Sequence, residues 1–176
     1  EIILVNDGST DGSWERIREA SRRYPTLTGL NLRRNFGQDN ALMAGLRQAH
    51  GAVVVIMDDD LQHDPTDVRR LVSAVLDGAD VCGALFDLQH QAFWKRLGSW
   101  FNGKVANIVL DKPGEYYLSP FKAVSGAVVA EVADYSGPFP YVDGLILGIT
   151  QNVTQIPVRH DIRYAGRSNY GVIRSV

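Results

Sequence analysis

The sequence predicts an α/β protein built on an open, doubly wound, mostly parallel sheet. Three observations predict it. Short apolar runs alternate with helical patterns of roughly ten to fifteen residues, the order expected of consecutive βαβ units. The run Ala52–Met57 is continuous and mostly β-branched, as a parallel strand covered on both faces requires. Polar turns follow the strands at the edge where open α/β sheets bind their ligands. With 176 residues, 45% hydrophobic and 22% charged, the composition suits a single globular domain over 1–176.

Ile2–Val5 reads as a buried strand closed by the turn Asn6-Asp7-Gly8-Ser9. Thr10, Asp11 and Ser13 offer caps for a helix carrying Trp14, Ile17, Ala20 and Tyr24 at helical spacing up to Pro25. Leu27–Leu32 is a second strand, and Asn35-Phe36-Gly37 opens a helix that Gly51 ends. Asp58, Asp59 and Asp60 close the third strand. Asp64-Pro65 starts a helix with Val68, Leu71, Val72, Val75 and Leu76 on one face. Ala79–Leu85 is the next strand. Phe93–Ile108 is an aromatic-rich amphipathic helix with two readings, one packed in the core and one lying at a membrane surface. Tyr116–Ala123 reads as extended, Gly126–Tyr135 as a short helix and Val153–Val158 as a strand. Asp143 is the one acid in the apolar stretch Pro138–Ile149.

A net charge of −2 argues against nucleic acid as a partner. Cys82, the single cysteine, sits in an apolar stretch and reads as a buried, inert thiol. No apolar run reaches the roughly 18 residues of a membrane-spanning helix, and no signal-peptide pattern is present. Taken by itself the sequence reads as cytoplasmic. It opens on Glu1-Ile2-Ile3 without an initiator methionine, which reads as a fragment.

Two acidic turns, at Asp7 and at Asp58-Asp59-Asp60, share the ligand-binding edge. Adjacent carboxylates repel, and a cation or hydrogen-bond donors relieve that repulsion. In extended backbone, residues i and i+2 face one side, so Asp58 and Asp60 are the candidate ligands of a shared ion and Asp59 turns away. Oxygen donors suit Mg²⁺ or Mn²⁺, which are commonly shared with substrate phosphates. The competing reading is a solvated turn whose acids cap the next segment. His63 reads as a surface residue.

The segments Val5–Ser13, Arg34-Asn35-Phe36-Gly37 and Asp58-Asp59-Asp60-Leu61-Gln62-His63-Asp64-Pro65 resemble the ordered motifs of family 2 glycosyltransferases with the GT-A fold. Phe93–Asn102, Tyr117–Lys122, Pro140–Ile146 and Gly166–Tyr170 are similar to the branch that moves sugars onto polyprenyl phosphates. That resemblance implies an inverting enzyme taking a UDP- or GDP-linked sugar, a divalent Mg or Mn cofactor and an undecaprenyl or dolichyl phosphate acceptor. It implies nucleotide-sugar contacts at Asp7, Arg34, Asp58, Arg163, Arg167 and Ser168, metal binding at Asp58 and Asp60, and catalytic roles for Asp60 and Asp143. It further implies work at a membrane surface, on the cytoplasmic side of a bacterial inner membrane, and leaves room for a homo-oligomer.

Asn6 and Asp59 depart from the usual residues of those motifs, and Asn169 stands where a lysine is common, which lowers phosphate attraction there. The resemblance also places a first strand before Glu1 and hydrophobic segments after Val176. A phosphate acceptor is largely ionised at neutral pH and needs no strong base, whereas a hydroxyl acceptor would need Asp143 as one. The alternatives are a soluble family 2 enzyme acting on a glycan hydroxyl, a non-catalytic nucleotide-binding module and a nucleotidyltransferase.

Overall fold

The computed structural model describes residues 1–86 and 116–158. The helix read at Phe93–Ile108 and the loop carrying Arg163, Arg167 and Ser168 lie outside the described residues. Among those described, the strands are β1 (Ile2–Asn6), β2 (Leu27–Asn31), β3 (Val53–Ile56), β4 (Val81–Phe86), β5 (Lys122–Ser125) and β6 (Val153–Val158). The helices are α1 (Ser13–Arg23), α2 (Gln38–Leu46), α3 (Val68–Leu76), α4 (Gly126–Ala133) and α5 (Val142–Ile149). None of them is long and apolar enough to cross a membrane.

The strands form two sheets. β1 and β2 are a parallel pair in register from Ile2↔Leu27 to Asn6↔Asn31. The second sheet has the order β3-β5-β4-β6, with β4 and β6 parallel and β5 antiparallel to both β3 and β4. Parallel geometry therefore dominates, as the alternating pattern requires, with one reversed strand. Among the described residues, β1 and β3 each have a single hydrogen-bonded neighbour. That is why β1, read as fully buried, leaves Ile2 exposed and buries only Asn6 completely.

Helices cover both faces of the second sheet. On one face α2, α4 and α5 pack Met43, Leu46, Val128, Val129, Val132, Val142 and Ile146 against Ile56, Val81 and Val124. On the other, α3 packs Leu71 and Val75 against Cys82, Ala84, Ala123 and Val158. Neighbours along a strand point to opposite faces, so Val81 and Val124 enter the first core while Cys82 and Ala123 enter the second. Burial raises the Cys82 thiol above its usual range, the condition of an inert packing residue.

Local chemistry sets the ends. The α1 cap is Gly12 in the left-handed region (φ 82°). Asp11 Oδ1 accepts from the Ser13 N–H (3.1 Å) and the Ser13 hydroxyl (2.6 Å) just ahead of the helix. Glu15 in the first turn and Arg22 and Arg23 in the last complement the helix dipole. Asp64 Oδ1 accepts from the Thr66 N–H (2.8 Å), capping a single 3₁₀ turn, Pro65–Asp67, that leads into α3.

Candidate active site

The carboxyl ends of β1 and β3 carry the two acidic turns, and the 36–38 segment joins them. Asp7 Oδ1 accepts from the Phe36 N–H (2.7 Å) and Oδ2 from the Gly37 N–H (2.9 Å). Its carboxylate thus holds the turn that opens α2. The next residue of that turn, Gln38, donates through Nε2 to Asp58 Oδ1 (3.3 Å). Asn6, buried beside Asp7, donates to Asn31 Oδ1 (2.7 Å) and accepts from the Ser9 N–H (3.3 Å). Arg34 lays its guanidinium over the Phe36 ring at 4.4 Å from the centroid, a cation–π contact.

Gly8 makes this packing feasible. Its φ is +72°, and a Cβ there would lie 2.5 Å from Asn35 N and 2.6 Å from Arg34 C. Both obstacles are backbone. Gly8→Ala is therefore expected to push the 34–37 turn off Asp7 and lower the melting temperature, as thermal unfolding would measure. An unchanged melting temperature would disprove the close packing.

At the end of β3, Asp58 and Asp60 are half-buried while Asp59 is exposed, the alternation anticipated from extended backbone. Leu61 then adopts φ +61°. For a non-glycine residue this region costs on the order of 1–2 kcal/mol, and the Leu61 side chain is exposed, so its own burial offsets none of it. Asp60 Oδ1 accepts from the Gln62 N–H (3.2 Å).

His63 corrects the reading of a surface residue. It is 4% exposed and stacks nearly parallel between Phe86 and Phe121, with centroids 5.5 and 4.9 Å away. Its Nδ1 accepts from the Asp58 N–H (3.3 Å). The neighbouring acids favoured exposure; rings more than twenty residues away in sequence overrode them.

Asp143, in the first turn of α5, reaches the same edge through Lys122. The Lys122 ammonium pairs with Asp143 Oδ1, with side-chain exposures of 7% and 25%. Lys122 lies directly across from Ile56 at the end of β3 and from Gly83 of β4. Because β5 runs antiparallel, its first residue meets the carboxyl end of β3. The Val142 N–H also donates to Asp39 Oδ1 (3.1 Å), tying the starts of α5 and α2 together. Tyr116 is buried, and its phenol is pushed well above the usual value, by burial first and by the Asp143 charge second.

The structure thus connects Asp7 to Asp58 through the 36–38 segment, with Arg34 on the adjoining turn, and sets the Lys122–Asp143 pair across from the end of β3. Sequence reading missed Gln38, His63 and Lys122. The available signal for Lys122 was a lone cation within the apolar run Phe121–Val124. Among the described residues no group of three or more His, Cys, Asp or Glu is arranged to hold a metal ion. The donors at β3 are carboxylate oxygens, which suits Mg²⁺ or Mn²⁺, ions that take one or two carboxylates and complete their shell with phosphate and water.

This architecture is shared with solved structures of glycosyltransferases. Glucosyl-3-phosphoglycerate synthase from Mycobacterium tuberculosis, in complex with Mn²⁺ and UDP-glucose, aligns with a TM-score of 0.64 at 18% identity, over 93% of this chain and 60% of that one. A mannosyltransferase from Pyrobaculum calidifontis, in complex with GDP-mannose and Mn²⁺, aligns with a TM-score of 0.65 at 19% identity, over 95% of this chain and 48% of that one. The fold is the GT-A fold of glycosyltransferases. The sequence profile of glycosyl transferase family 2 matches residues 1–129, and the chain belongs to that family.

Among curated relatives, undecaprenyl-phosphate 4-deoxy-4-formamido-L-arabinose transferase of Edwardsiella ictaluri is 32% identical across the whole of this chain. The enzyme of the same name from Aeromonas hydrophila is 30% identical, again across the whole chain. The chain spans about half the length of these relatives, 54% in each case.

Proposed function

We propose that the protein is an inverting glycosyltransferase that moves a sugar from a UDP- or GDP-linked donor to a polyprenyl phosphate, for synthesis or modification of cell-envelope glycans. The observation that carries this reading is the convergence of two elements on one sheet edge: the Asp58/Asp60 turn and the Lys122–Asp143 pair. The relatives named for transfer to undecaprenyl phosphate supply the acceptor class.

Asp58 and Asp60 would hold a Mg²⁺ or Mn²⁺ ion with the donor diphosphate. When bound, that ion neutralises charge developing on the departing diphosphate. Asp7 keeps the 36–38 turn against the nucleotide edge, and Arg34 stands on that turn. Arg163, Arg167 and Ser168 would supply further phosphate contacts, as the resemblance to the family's motifs implies.

On the acceptor side, Asp143 is already engaged by an ammonium. A carboxylate so engaged is a well-fixed orienting group. That matches an acceptor whose attacking oxygen is ionised at neutral pH, its second phosphate pKa being about 6. The reaction would occur at the cytoplasmic face of a bacterial inner membrane, where both donor and lipid are accessible.

Two measurements test the proposal. Calorimetric titration of UDP and GDP with and without Mn²⁺ should show one nucleotide binding in a metal-dependent manner; metal-independent binding, or none, overturns the donor half. Labelled sugar supplied as the nucleotide donor with undecaprenyl phosphate should enter organic-extractable lipid. Its appearance only in aqueous glycan rejects the acceptor.

A further inference from the structure

We infer that His63 is a positioning residue for the acidic turn, clamping the backbone of Asp58 to the sheet so that Asp58 and Asp60 hold their relative placement. This rests on the reading of those two carboxylates as ligands of the metal and diphosphate.

The ring stacks nearly parallel on two phenylalanines. Phe86 closes β4 and Phe121 directly precedes β5, and both belong to the core packed under α3. The interplanar angles are 7° and 11°, so the imidazole has little freedom to tilt. Its Nδ1 lone pair receives the Asp58 N–H, closing the six-residue loop from Asp58 to His63 just beyond β3. Inside that loop sits Leu61 in the left-handed region with an exposed side chain. A turn containing such a residue persists only where its surroundings over-determine it. The Asp58–His63 bond closes this turn at its base, and the Gln62–Asp60 bond lies within it. Losing the first frees the Asp58 amide and lets Leu61 relax, so the two carboxylates drift from their common placement.

A ring that merely fills space would behave differently, and two substitutions separate the roles. His63→Phe keeps an aromatic ring between Phe86 and Phe121 and removes the acceptor. His63→Asn loses the stacking but offers an amide oxygen near the Nδ1 position. Amide exchange by mass spectrometry over the 57–63 segment should accelerate at least tenfold in His63→Phe, with β4 unchanged. Mn²⁺ affinity in the presence of the nucleotide that binds, read by calorimetry, should fall about 10- to 100-fold. His63→Asn should melt at a lower temperature yet retain Mn²⁺ affinity within about threefold.

Wild-type exchange in His63→Phe, or equal losses of Mn²⁺ affinity in both variants, would overturn the inference. Absence of Mn²⁺ binding by the unsubstituted protein would sink the reading of Asp58 and Asp60 instead. The exchange measurement would still decide the clamp.

Discussion

Asp58→Asn and Asp60→Asn are each expected to lower turnover by about 10²- to 10³-fold, the usual cost of removing one group that stabilises developing charge. Asparagine preserves shape, and at position 58 its Oδ1 still accepts from Gln38 Nε2, which meets Asp58 Oδ1 at 3.3 Å. The fold should survive and the charge alone is lost. Asp59→Asn is the control. Asp59 is exposed, while its two neighbours are half-buried, so its loss should change turnover by no more than about twofold. Steady-state kinetics at saturating Mn²⁺, together with thermal melts, checks all three. A defect in Asp59→Asn equal to that of its neighbours would mean that the turn acts only as a diffuse negative patch.

The second large effect concerns the Lys122–Asp143 pair. Breaking a buried pair by neutralising one partner typically costs about 3–5 kcal/mol, because the remaining charge is stranded. Lys122 is the stranded partner in Asp143→Asn, with a side chain 7% exposed, while the quarter exposure of Asp143 points to the lower end, about 3 kcal/mol. Turnover should vanish while nucleotide binding persists. The double variant Lys122→Met/Asp143→Asn should recover most of the stability, since no charge is left behind, yet remain inactive. Urea unfolding and transfer assays read the two quantities separately. Unchanged stability in Asp143→Asn would refute the pair; near-normal turnover would remove Asp143 from the chemistry.

Much of the fold is legible residue by residue. The strand that the sequence places at Val153–Val158 has the bounds observed for β6, because its flanking polar residues and β-branched composition are local signals. The helix expected over Gly126–Tyr135 is α4, which spans Gly126–Ala133; Ser125 Oγ accepts from the Val128 N–H and starts it. The alternation at Asp58-Asp59-Asp60 is also expected from local pattern, and it is observed in burial although the backbone bends at 59–61. Less visible is the job of Asp7. Its carboxylate is committed to two amides 29 and 30 residues later, a partnership no short window contains.

What the sequence determined by itself is the succession of strands and helices and the acidic turn at the end of β3, since periodicity, caps and turn residues act within about ten positions. The tertiary structure alone decided that β5 runs antiparallel, which delivers Lys122 to the end of β3 and pairs it with Asp143. It alone decided that His63 is buried between Phe86 and Phe121 beneath the acidic turn. Both outcomes depend on which strand lies beside which, and strand order and direction are set by packing between segments distant in sequence, to which local residue patterns carry no direct pointer.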